Sequence, residues 1–196
     1  MRKIRSVKYL LAVLITVLVF GVDSICQVHR ISAGFNFASG AEFNHGETGN
    51  PGLTVKTWIA VNKPSTLHIV PSLTAYNRYK LETGYSILTN YMFQGDLDLQ
   101  YTFFQEGTVK AVALGGGNIT YLSSYYQPLG ENANKTITDE TEYAFGGNIG
   151  AGLELKMAPK WDFNISAKYL FSKYPQFIIT AQAVYFFKVR RKAYRR

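Results

Sequence analysis

The stretch "YMFQGDLDLQYTF", residues 91–103, constrains the fold more than any other part of the chain. Its odd positions are Tyr91, Phe93, Gly95, Leu97, Leu99, Tyr101 and Phe103, and its even positions are Met92, Gln94, Asp96, Asp98, Gln100 and Thr102. A period of two is that of a β-strand whose two faces meet different surroundings. Two carboxylates sit in the middle of one face and bulky apolar groups cover the other. Such a strand belongs either to a soluble protein with a greasy interior or to a wall whose greasy side meets lipid.

The pattern recurs. Alternation predicts eight strands, at 28–39, 53–62, 66–76, 89–103, 108–121, 143–157, 161–171 and 177–187. The apolar face carries Phe35 and Phe37 in the first and Trp161, Phe163 and Ile165 in the seventh. The opposite face carries small or polar groups: Ser32, Gly34 and Asn36; Asp162, Asn164 and Ser166. A soluble sandwich has bulky groups inside and long charged groups outside, which is the reverse distribution. Links after the second, fourth and sixth strands are short ("NKPS", "FQEG", "APK"). Those after the first, third and fifth are long (40–52, 77–88, 122–142), and the last, "SKYPQ", is short again. Alternating link lengths are a property of transmembrane barrels, with short periplasmic turns and longer outer loops.

The chain ends point the same way. Arg2, Lys3, Arg5 and Lys8 precede the apolar run Leu10–Val22, the order of a cleaved signal peptide over residues 1–26. The run is short for a permanent membrane helix. Cys26, the single cysteine, is either discarded with the signal or acylated as a lipoprotein residue; Ile25 before it does not suit a lipobox, and no disulfide can form. The formal charge of +8 is concentrated at the ends. Residues 27–187 hold 11 Lys and Arg against 12 Asp and Glu, so no nucleic-acid surface is expected. Six further cations, Lys188, Arg190, Arg191, Lys192, Arg195 and Arg196, form a basic periplasmic tail over 188–196, suited to anionic head groups or a periplasmic partner.

The fold expected is therefore all-β: an eight-stranded antiparallel up-and-down transmembrane barrel over 27–187, preceded by a cleaved signal peptide. This pattern resembles small outer-membrane barrels of the OmpA and OmpX type. "LHIVPSLTAYNRY", "GDLDLQYTF", "AVALGGGNITYL" and "GGNIGAGLELKM" resemble more closely the outer-membrane β-barrel domain family common in Bacteroidota, to which PorT-like secretion proteins are related. The resemblance implies the outer membrane of a Gram-negative bacterium, with outer-membrane lipid and lipopolysaccharide as surroundings and a periplasmic or envelope protein as a partner. Barrels of this kind end on a final aromatic residue, whereas here nine residues follow Phe187.

An eight-stranded barrel is filled by side chains rather than open. Arg30, Lys56, His68, Asp96, Asp98, Gln100, Glu154, Lys156 and Lys168 are expected in the lumen as a salt-bridged network, because buried charges need partners. Asp96 and Asp98 could be read as catalytic paired carboxylates, but neutralising Arg30, Lys56 or Lys168 is the simpler role. Gly115, Gly116, Gly117, Gly146, Gly147, Gly150 and Gly152 would let the wall bend around long lumen side chains. His29, His45 and His68 lack a Ser and carboxylate at convincing spacing for a lipid-A-modifying enzyme. The acidic segment 122–142 offers Tyr125, Tyr126, Glu131 and Asp139 as outer-loop contacts, without metal-ligand spacing for Ca²⁺. The sequons at Asn118, Asn134 and Asn164 are expected to be accidental, and no motif calls for a cofactor. The expected function is that of a non-enzymatic envelope structural or interaction protein. The alternatives are a PorT-like secretion component, a lipid-A-modifying barrel, and a soluble lipocalin-like barrel with the faces reversed.

Overall fold

The computed structural model describes residues 28–40, 49–61, 65–83, 85–129 and 138–187. These form one antiparallel sheet of nine strands: β1 (Val28–Ser39), β2 (Asn50–Ala60), β3 (Leu67–Tyr76), β4 (Tyr79–Thr83), β5 (Ser86–Glu106), β6 (Val109–Pro128), β7 (Thr138–Ala158), β8 (Trp161–Phe171) and β9 (Gln176–Phe186). β9 returns to pair with β1, and β3 pairs with β5, so the sheet closes on itself. β3 and β4 are successive partners of the same strand, β5, and count as one interrupted stave. The result is a closed barrel of eight staves, which leaves no backbone edge along the wall.

The alternation seen in the sequence holds in register around the barrel. From β1 to β3 and from β5 to β9, even-numbered residues point inward over the barrel wall and odd-numbered ones outward. Outward residues are bulky and uncovered: Phe35 is 74% exposed and Phe145 73%. Aromatics ring the wall at two levels. Phe93, Tyr121 and Tyr143 lie in one contact series at the long-loop end, with ring centroids 6.3 and 5.3 Å apart. Trp161, Tyr185 and Phe187 form another at the short-turn end, at 5.0 and 5.9 Å. Aliphatic groups such as Val55, Leu73, Leu97 and Ile119 fill the band between them.

Two of the expected long loops are largely strand. The segment 77–88 contains β4 and its hairpin with β5, and 122–142 is mostly the paired ends of β6 and β7. β5 and β7 each run 21 residues. That is about 70 Å of extended chain, whereas roughly 9–11 tilted residues cross a bilayer. A ladder already begun continues beyond the barrel wall by backbone pairing alone, without the apolar alternation that marks the wall. Tyr125 and Tyr126 therefore lie on β6 rather than in a loop, and Tyr125 packs edge-on to Tyr91 with centroids 5.6 Å apart. At the other end the β5–β6 turn is tight, and Gly107 adopts φ +55, a left-handed conformation that glycine takes without strain.

Candidate functional site

The interior is layered. At the long-loop end Ala38, Tyr76, Met92, Leu122, Leu170 and Ile178 make an apolar cluster, and at the short-turn end Trp58, Val70, Val184 and Phe186 make another. The charged residues lie between these layers or against them.

They form two groups. In the central group Lys168 Nζ is 2.7 Å from Asp96 and 3.7 Å from Asp98. Ser72 donates to Asp96 at 3.0 Å and the Gln94 amide donates to its other oxygen at 2.7 Å. Tyr76 donates to Gln94 at 3.2 Å, extending the chain towards the upper apolar layer. Lys56 donates to Ser166 at 3.4 Å. Glycines make this possible. Gly116 stands opposite Asp98 and Gly150 opposite Lys168. A Cβ on Gly116 would strike the Leu97 carbonyl and the Asp98 Cα, and one on Gly150 would strike the Ala167 carbonyl and the Lys168 Cβ. At both positions the wall leaves no space for a side chain, and the neighbouring charged residue projects into the interior.

In the second group Arg30 pairs with Glu154 at 2.6 Å. Gln100 donates to the other Glu154 oxygen at 2.9 Å, and the Trp58 indole donates to Gln100 at 2.9 Å. The Arg30 guanidinium lies 4.5 Å from the Trp58 ring centroid and 5.6 Å from that of Phe186, on faces that attract a cation. Lys110 approaches Glu154 at 3.8 Å. His68 is buried and stacks on His29 with centroids 5.1 Å apart.

The sequence-derived candidates sort against this geometry. Arg30, Lys56, His68, Asp96, Asp98, Gln100, Glu154 and Lys168 are all buried inside. Arg30 does not pair with Asp96 or Asp98; its carboxylate is Glu154. Lys156 needs correcting: it is exposed, not in the lumen, because it sits at the short-turn end where the β7–β8 register shifts. Lys110 and Gln94 are in the groups although sequence reasoning did not single them out. Both lie on the inward parity of their strands, which was the available signal. Asp96 and Asp98, a catalytic pair on one reading, are held by Lys168 between two apolar layers. Asn118 and Asn164 are buried and face inward. Among the described residues no three His, Cys, Asp or Glu side chains gather as a metal site.

At the long-loop rim Lys173 Nζ meets Glu142 at 2.6 Å and the Tyr174 hydroxyl donates to its other oxygen at 2.6 Å. These hydrogen bonds, that of Lys173 first, hold the Glu142 carboxyl below its ordinary range. The same contacts raise Lys173 and Tyr174. Glu140 is exposed on the same strand. The side chain of Asp139, with Cys26, His45, Glu131, Asn134 and the tail cations Arg190, Arg191, Lys192, Arg195 and Arg196, lies outside the described residues.

No family model matches the sequence, and no curated protein matches it. Solved structures are similar in fold. Neisserial surface protein A is 14% identical with a TM-score of 0.57, covering 84% of this chain and 100% of that one. The attachment invasion locus protein Ail of Yersinia pestis is 13% identical with a TM-score of 0.55, covering 82% and 99%. A major outer membrane protein from Thermus thermophilus is 12% identical with a TM-score of 0.59, covering 81% and 99%. At these identities the likeness is one of fold: a closed eight-stranded antiparallel barrel.

Proposed function

We propose that the chain is a non-enzymatic outer-membrane barrel that displays the projecting sheet of β4–β7 outside the cell as an interaction surface. The observation that carries this reading is the inversion of the barrel. Its outside is an aliphatic band between two aromatic girdles, and its inside is charged and capped by an apolar layer at each end. Hydrocarbon tolerates only a sheet with every backbone group paired, and this wall is closed. The layered interior favours a structural barrel over a channel, and the engagement of Asp96 and Asp98 by Lys168 favours it over a catalyst.

In this reading residues 1–26 are the export signal, the short turns and the basic tail 188–196 are periplasmic, and the long-loop end is extracellular. Outer-membrane lipid and lipopolysaccharide surround the wall. Tyr125, Tyr126, Glu131 and Asp139 belong to the displayed surface. The quoted motifs support the Bacteroidota outer-membrane barrel domain as the family. Ail, a neighbour by fold, is also known in complex with the heparin analogue sucrose octasulfate, which accords with a displayed sheet meeting polysaccharide.

The test is fractionation with a heat-modifiability gel, plus protease added to intact cells expressing an epitope inserted at 131–136. Outer-membrane recovery, a mobility shift on boiling and surface cleavage are expected. Recovery as a soluble periplasmic protein without a shift would sink the proposal and restore the lipocalin-like alternative.

A further inference from the structure

The lipid-facing wall is not uniformly convex. A cavity of about 720 Å³ opens on it beside Pro71, Gly95, Leu97, Gly117 and Ile119. A second, of about 480 Å³, shares Val55, Leu73, Gly95 and Ile119 and continues to Ala75, Tyr121 and Tyr143. Register explains the continuity. Leu73 stands opposite Gly95 and Gly95 opposite Ile119, while Leu97 stands opposite Gly117. Gly95 and Gly117 point outward, so the floor lacks side chains while Leu73, Leu97 and Ile119 make the sides. The groove therefore runs from mid-wall to the aromatic girdle at the long-loop end, and its lining is almost wholly apolar.

Its upper end is basic. Ala75 is the last groove residue on β3, and Arg78 follows three positions on, in the two-residue link between β3 and β4. Lys80 comes next on β4, and both cations are exposed. Glu82, also exposed, is the carboxylate on the same short strand. An apolar slot in the hydrocarbon zone, leading to an arginine and a lysine at the head-group level, is complementary to one molecule in two parts: an acyl chain and a phosphate.

Resting on the membrane reading above, we propose that this groove seats one acyl chain of a phosphorylated, acylated glycolipid of the lipid A class, with Arg78 and Lys80 receiving its phosphate. The orientation selects lipid A over a glycerophospholipid, since the cations stand at the extracellular end. Arg contributes a planar fork of donors and Lys a point charge, both suited to phosphate.

The groove can be filled without disturbing the wall. A Cβ on Gly95 would meet Ile119 Cγ2 at 3.4 Å and Leu73 Cδ2 at 3.7 Å, and one on Gly117 would meet only the Gly146 carbonyl at 3.8 Å. The experiment is native mass spectrometry of the folded full-length protein in mild detergent, titrated with purified bis-phosphorylated lipid A and separately with phosphatidylglycerol. A single lipid A adduct is expected to survive activation that strips phosphatidylglycerol. The G95L/G117L variant should weaken that adduct about tenfold, as should R78A/K80A, whose backbone pairing is unaltered. Wild-type binding by both variants overturns the proposal, and so does equal retention of phosphatidylglycerol. The heat-modifiability gel separates the two levels of failure. A shifting barrel that ignores lipid A loses the groove alone, whereas a chain that neither shifts nor fractionates with the outer membrane loses both.

Discussion

Leu97 and Asp98 are neighbours on β5, and their surroundings are exchanged relative to a water-soluble protein. Leu97 is 59% exposed and Asp98 is 4% exposed. Apolar surface of this extent facing water would be costly at roughly 25 cal/mol per Å². Facing hydrocarbon it costs nothing. The interior must then be held by hydrogen bonds and ion pairs, and it is organised like one: two groups, each built on a close lysine or arginine pair with a carboxylate. The difference between wall and lumen is therefore energetic as well as compositional. In the outer-membrane reading proposed above, the wall should tolerate any apolar group and reject charge, while the lumen depends on particular partners.

The largest way to break that contrast is inside. Glu154→Leu leaves Arg30, 1% exposed, buried against Trp58 and Phe186, with no carboxylate beside it. The expected loss is about 3–5 kcal/mol, the cost of an uncompensated buried charge. Urea unfolding in lipid vesicles, read by the heat-shift gel, measures it. Arg30→Leu combined with Glu154→Leu should recover most of the loss, and failure to recover would mean that the pair does more than neutralise itself.

On the wall, Leu97→Arg places a charge near mid-band and should cost about 2–4 kcal/mol, while Met157→Arg, at the short-turn end and 72% exposed, should cost about 0–1. Equal costs at the two depths would show that the band is not in hydrocarbon. Adjacent glycines sharpen the contrast further. Gly116→Ala points inward, where its methyl would strike the Leu97 carbonyl, and should cost about 1–3 kcal/mol. Gly117→Ala points outward with only the Gly146 carbonyl at 3.8 Å, and should change stability by less than about 0.5 kcal/mol.

The barrel wall was legible because period-two alternation carries both strand and face. β1 and β8 were read to their observed ends at 28–39 and 161–171. The ends of β4–β7 beyond the wall were not, since a ladder with similar surroundings on both sides has no face to mark, and "SSYYQP" and "TDETE" read as loop. Within the lumen, parity gave the list of inward residues but not the pairing. Which carboxylate meets Arg30 depends on register around the closed barrel, through β9 and β8 to β7, a quantity that one-dimensional alternation does not contain. Lys156 had the inward parity and still ended exposed, because parity carries no information about where a stave leaves the barrel. The apolar layers at the two ends were hidden for a related reason: Met92, Leu122 and Trp58 are exceptions on a polar face, and only closure gathers them.

The smallest expected effect lies at the long-loop rim, where neither hydrocarbon nor burial amplifies a charge. Glu142, Lys173 and Tyr174 tie the link between β8 and β9 to β7. The Glu142 carboxyl is lowered by these hydrogen bonds, so its contribution is fully present above the ordinary carboxylate range and disappears as pH falls through the lowered folded value. Lys173 and Tyr174 are raised, so theirs is complete below their ordinary values and disappears as pH rises through the raised ones. The tie should hold across neutral pH and release first in acid. Because all three groups lie at the exposed rim, the effect on global stability should be slight and the effect on the link itself larger. Limited proteolysis at 172–175 in nanodiscs, with an acid-active protease, is expected to accelerate from pH 6 to pH 3 in the wild type and to be fast at both pH values in Glu142→Gln. An unchanged rate in that variant would show that backbone pairing of β8 and β9, and not the rim charges, holds the link in place.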